Sequence, residues 1–127
     1  MRVRFLSDEW LAGLDRAAGT IEVDPDVSIV IEQTVRADAG DVVWHTTVED
    51  GAIEFGSGPA PEAIVRMSAD TDTAWHVASG RLSAQRAFLD GRLTLAGDVR
   101  SLITARPALE AIAAAFSGIR TETDSPY

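Results

Sequence analysis

The sequence predicts an α+β domain with a single, mostly antiparallel sheet of about five strands, covered on one face by helices. Three observations predict it. Alternating stretches flank Asp50-Gly51, the strongest hairpin signal in the chain. Amphipathic helical stripes open and close the chain. The elements run in the order helix, three-stranded meander, strand, two helices, strand, helices, which suits helices gathered over one sheet face. At 127 residues the chain is expected to form one domain over 1–120, with 121–127 as a flexible tail.

Ser7 is a good N-cap, with Leu6 and Leu11 spaced for a hydrophobic staple. Trp10, Leu11, Leu14 and Ala17/Ala18 share one face, and Gly19 closes a first helix over 8–18. From Asp26 to Arg36, Val27, Ile29, Ile31 and Val35 alternate with Ser28, Glu32 and Thr34, as in a strand with one buried face. Val42 to Glu49 is the second strand and Ala52 to Phe55 the third. The stretch 56–61 is glycine- and proline-rich and reads as a linker. It lacks the helix that a phosphate-cradling loop would need directly after its glycines. Residues 63–68 form the fourth strand.

Asp70 to Thr73 is a helix N-terminus, and the helix it opens ends before Gly80. Ser83 caps a short helix over 83–89 that Gly91 closes. Residues 92–96 alternate as the fifth strand, and Gly97-Asp98 turns into another helix with Asp98 as N-cap. Pro107 opens the last helix, striped by Leu109, Ile112, Ala113 and Phe116, and Gly118 ends it. The other positions of that helix are largely alanine. Small side chains over a sheet leave space, and an empty void of ~300 Å³ would cost roughly 7 kcal/mol, comparable to a whole domain's stability. Such a void should collapse or hold a ligand.

The net charge of −9 argues against nucleic acid as a partner. The charge is uneven: residues 1–80 carry −10, residues 81–106 carry +3 with five Arg, and the remainder carries −2. Those arginines form either a solvated surface or the rim of an opening for an anionic head group. No apolar run approaches the ~18 residues of a membrane span. The start, Met1 to Phe5, runs directly into Ser7-Asp8-Glu9, so no signal peptide is expected, and a chain without cysteine suits the cytoplasm.

Catalytic constellations are missing from the sequence pattern. His45 and His76 have no ligand-spaced partners, no GxSxG elbow occurs, and the pairs Asp24/Asp26 and Asp70/Asp72 sit at element ends. The reading is a non-enzyme with no cofactor and no metal.

The segment Ser79-Gly80-Arg81-Leu82, then Ala87-Phe88-Leu89-Asp90-Gly91-Arg92-Leu93, then Leu95-Ala96-Gly97-Asp98, closely resembles the sterol carrier protein 2 (SCP-2) family. The element order extends the likeness to nearly the whole chain. The resemblance implies a five-stranded sheet covered by helices and enclosing an apolar pocket for acyl chains, sterols or acyl-CoA, closed in part by the last helix. It makes Phe88, Leu102, Ile103, Leu109, Ile112 and Phe116 candidate lining, with Trp75 and Leu82 as further candidates. Arg81, Arg86 and Arg92 are the head-group candidates. Many members are basic, whereas this chain carries −9. The function expected is binding or carrying a hydrophobic small molecule. The alternatives are an accessory subunit presenting such a molecule to a partner enzyme, or an interaction module whose pocket is filled.

Overall fold

The computed structural model describes residues 2–126 and contains two sheets with helices between and beside them. In chain order the elements are β1 (Val3–Arg4), α1 (Asp8–Ala18), β2 (Ile29–Arg36), β3 (Val42–Glu49), β4 (Ala52–Ser57) and β5 (Val65–Asp70). They continue with α2 (Thr71–Ala78), α3 (Ala84–Leu89), β6 (Leu93–Gly97), α4 (Ser101–Thr104), α5 (Arg106–Ile119), a 3₁₀ turn (Arg120–Glu122) and β7 (Thr123–Asp124). The main sheet has the order β4-β3-β2-β5-β6, and all its pairs are antiparallel except β2 with β5. The α+β architecture and five-stranded sheet are as predicted.

Local chemistry sets the element ends. The Ser7, Asp70 and Ser83 side chains accept the backbone N–H of Trp10, Thr73 and Arg86, each capping the helix that follows. At the β3–β4 hairpin Asp50 and Gly51 both have positive φ, +53° and +82°, the pairing a two-residue primed turn needs. Gly97 is required more sharply. Its φ is +90°, and a Cβ there would lie 2.3 Å from the Ile64 carbonyl oxygen. Only a residue without a side chain lets β6 end against the start of β5.

The period of two sorts the sheet into faces. On β2, Ile29, Ile31 and Val35 are buried under the helices, while Glu32 and Thr34 face the other way. α1 supplies Trp10, Leu14 and Ala18 to the core, and α5 supplies Ala108, Ala111, Ile112, Ala115 and Ile119. The two helices approach closely through small residues: a Cβ on Gly118 would sit 3.5 Å from that of Ala17. The segment 58–64 crosses the opposite, polar face. His45 Nδ1 lies 2.9 Å from the Gly58 carbonyl oxygen there, and Glu32 accepts the Ala60 N–H at 3.0 Å.

Several boundaries differ from the sequence reading. β2 begins at Ile29 because Asp24 to Val27 forms a hydrogen-bonded turn. β4 runs to Ser57, and β5 is displaced to Val65–Asp70 by the turn between Ala60 and Ala63. Asp98 does not cap the next helix. Its N–H is held by the Ile64 carbonyl, and Arg100 occupies the cap position without a side-chain bond. Gly118 lies inside α5 and does not end it.

The segment expected as a loose tail is tied down through residue 126. β7 pairs in parallel with β1, and the buried Thr123 hydroxyl donates to the Ile119 carbonyl at 2.7 Å. Arg120 Nε reaches back to the Ala78 carbonyl, fastening the C-terminus of α2. Tyr127 lies outside the described residues.

Gly97→Ala is expected to destabilise the domain by about 2 kcal/mol or more, because it adds left-handed strain to a backbone clash. Chemical denaturation measures this. An unchanged midpoint would mean that β6 does not need the close approach.

Candidate ligand-binding cavity

The helices do not settle fully onto the sheet. Between them lies a cavity of about 700 Å³ that reaches the surface. Its floor is the inner face of three strands: Ile31, Gln33 and Val35 of β2, Met67 and Ala69 of β5, and Leu93 and Leu95 of β6. One wall is α2, with Ala74, Val77 and Ala78. The roof is α5, with Leu109, Ile112, Ala113 and Phe116. Phe5 and Trp44, both buried, line it from the core side. Exposed apolar residues mark the mouth: Phe88 on α3 is 45% accessible and Ile103 on α4 is 78% accessible, with Val99 between them in sequence.

The alanine content of α5 explains the space. Ala108, Ala111 and Ala115 turn to the core and let α5 lie close to α1, while the larger Leu109 and Phe116 stay half-buried and line the cavity. The position of α5 is then set by α1 rather than by the floor. A closed, empty void of this volume would cost about 17 kcal/mol at ~24 cal/mol per Å³. That exceeds the 5–15 kcal/mol of a typical domain. The fold therefore relies on an open mouth or on an occupant.

Of the residues proposed from the sequence, Phe88, Leu102, Ile103, Leu109, Ile112 and Phe116 all line the cavity. Trp75 and Leu82 are not among the lining residues. Trp75 packs its ring 5.2 Å from that of Phe5, in the core. Leu82 is half-buried in the turn between α2 and α3. The three arginines are also not part of the lining. Arg92 braces α2 against β6, its Nε donating to the Thr73 hydroxyl at 3.2 Å and its Nη2 lying 3.3 Å from His76 Nδ1. Arg86 pairs with Asp90 one helical turn away, and Arg81 is exposed beyond α2.

The lining contains one charged residue among the described ones, Arg100, exposed at the mouth. Sequence reasoning passed over it because five arginines in 26 residues give no direction to any one of them. It passed over the floor as well, since alternating apolar residues read equally well as packed core.

Asp70 fixes the wall formed by α2. The Thr73 backbone N–H and then its hydroxyl hold the Asp70 carboxyl below the usual carboxylate range, against the opposing effect of burial and with lesser help from Arg92 and Arg36. Because the folded-state pKa lies below the unfolded one, this stabilisation is complete above the ordinary carboxylate range. It is lost as pH falls through the lowered value. Asp70→Ala is expected to cost about 1 kcal/mol at neutral pH. The difference in Tm from the parent should narrow on acidification; a pH-independent difference would contradict the assignment.

The comparisons with known proteins agree with this geometry. A model of the SCP-2 sterol transfer family matches residues 16–110. A crystal structure of sterol carrier protein 2 superposes with a TM-score of 0.68 at 25% identity, covering 88% of this chain and 97% of that one. The palmitated SCP2L2 of Aedes aegypti gives a TM-score of 0.61 at 18% identity, covering 83% of this chain and 94% of that one. The sec-alkyl sulfatase PisA1 gives 0.53 at 20% identity over 66% of this chain, which spans 14% of the sulfatase. Among curated proteins none matches the sequence. Among the described residues no helix is long and apolar enough to cross a membrane.

Proposed function

The chain belongs to the SCP-2 sterol transfer family, and from that premise we propose that it is a non-catalytic carrier of a single hydrophobic molecule, an acyl chain or a sterol, held in the cavity between sheet and helices. The observation that carries the reading is the cavity itself. Its 700 Å³ lies within the 300–1,000 Å³ typical of small-molecule sites, and its lining is predominantly apolar.

Burying ten methylenes contributes about 8 kcal/mol, from which association and ordering subtract several. Micromolar affinity follows, with weak discrimination between chains of similar length. Entry is past Phe88, Val99 and Ile103, whose apolar surfaces at the mouth ease the passage of a chain from water into the interior. Arg100 is the cation placed to meet an anionic head group, a role that Arg86 and Arg92 leave open by engaging Asp90 and Thr73. A carrier of this kind works in the cytoplasm, in keeping with a chain that has no cysteine.

The likeness to a small part of an alkyl sulfatase favours a second reading, in which the domain presents its ligand to a partner enzyme. The two readings share the cavity and differ in where the ligand goes. Transfer between vesicles by the isolated protein favours the first, and a ligand released only in the presence of an enzyme favours the second.

Titration with a fluorescent fatty acid tests the shared claim. The parent protein is expected to bind one equivalent with micromolar Kd. Ala74→Phe, which pushes a ring from α2 into the cavity, should weaken binding at least tenfold without lowering the Tm. Equal binding by the two proteins would place the ligand elsewhere, and no binding by the parent would overturn the carrier.

A further inference from the structure

Gln33 breaks the pattern of the floor in which it stands. The helix-facing positions of β2 are Ile29, Ile31, Gln33 and Val35, and only the glutamine is polar. The alternation does not slip there, since Glu32 and Thr34 hold the opposite face on either side. In register, Gln33 stands between Trp44 of β3 and Met67 of β5, with Leu95 of β6 beyond. All four line the cavity, so an amide occupies the middle of an apolar row.

Among the described residues no hydrogen bond reaches the Gln33 side chain, which is half-buried. A primary amide offers two donors and an acceptor, and an apolar site penalises it unless they are used. For packing alone, leucine or methionine would serve the position better. The next register position repeats the anomaly: Trp44 is buried, lines the same cavity, and its Nε1 also lacks a partner. A buried indole N–H without a partner and an amide open to the cavity thus stand side by side on an apolar wall.

We propose that Gln33 selects the ligand, by hydrogen bonding to an uncharged oxygen, a hydroxyl or carbonyl, carried within the part of the molecule that lies inside the cavity. The inference rests on the carrier reading and adds a chemical class to it: amphiphiles oxygenated along the buried body, rather than plain hydrocarbon chains. The oxygen is uncharged because nothing in the floor would balance a charge. The one charged lining residue among those described, Arg100, is out at the mouth. A plain chain would cover the amide and leave it unpaired, a penalty that lowers its affinity relative to an oxygenated one.

The test is competition binding with stearic acid and a positional series of monohydroxystearic acids, so that length and head group are shared. On the parent protein, hydroxylation at one or two neighbouring positions should tighten binding about tenfold over stearic acid, the worth of one well-made hydrogen bond. In Gln33→Met, and in Gln33→Leu as a second variant, that preference should vanish while stearic acid binds as well or better. A flat series on the parent protein, with stearic acid bound, overturns the role of Gln33 and leaves the carrier reading standing. A preference that survives in a folded variant overturns it equally. If no member of the series binds, both readings fall.

Discussion

Trp10 holds the two layers of the fold at their working distance. Its ring lies 4.9 Å from Phe5 and 5.4 Å from Trp44, both edge-to-face, and 5.8 Å from Phe116, tilted, joining α1, the turn after β1, the sheet and α5 in one aromatic cluster. Phe55 extends the cluster to β4, with its ring 6.4 Å from Phe116. Such contacts have preferred geometries as well as large buried area, so they set a spacing in addition to contributing stability. With this end of the sandwich wedged by rings and α5 locked to α1 by alanines and glycines, the far end of α5 cannot descend onto β5 and β6. The cavity is the consequence.

That arrangement ties function to a packing choice. Interiors normally close to crystal density, and a sheet-and-helix layer of this size would ordinarily do so. Here the residues that could have filled the gap are small (Ala69, Ala74, Ala78, Ala113) or stand at the mouth with their surfaces outward (Phe88, Ile103). The C-terminal segment reinforces the frame from outside, through the β1–β7 pairing and the reach of Arg120 to the end of α2. The frame is rigid where the aromatic cluster sits. It is thinnest at the short helices α3 and α4, whose residues Phe88 and Ile103 stand at the mouth of the cavity.

Much of this frame was legible in the sequence, and the gaps have physical reasons. Strong local signals predict their elements closely: the Ser7 cap with its apolar stripe gives α1 to the residue, and Asp50-Gly51 places the hairpin, with β3 exact and β4 two residues longer than expected. The order of elements and the spacing through Ala87, Phe88, Gly91 and Gly97 point to the fold and to one side of the cavity. What local pattern cannot carry is which buried positions adjoin one another and which adjoin empty space. Ile31, Met67 and Leu95 read as core for that reason. Residues 121–126 read as a tail because a two-residue strand has no periodicity, and Asp98 reads as a cap because its hold on Ile64 is a long-range contact. The one available signal for the polar floor was Gln33 itself, a polar residue at an inward position of β2, in line with Ile29, Ile31 and Val35.

The central claim is that the gap under α5 exists to be occupied. Native mass spectrometry of the purified full-length protein, followed by organic extraction, tests it most directly. The account predicts a discrete increment of about a few hundred daltons, the size of a molecule that fills a cavity of this kind, lost on extraction and identified as an apolar chain or ring system. A clean apo mass, persisting after incubation with mixed fatty acids and sterols, would contradict it.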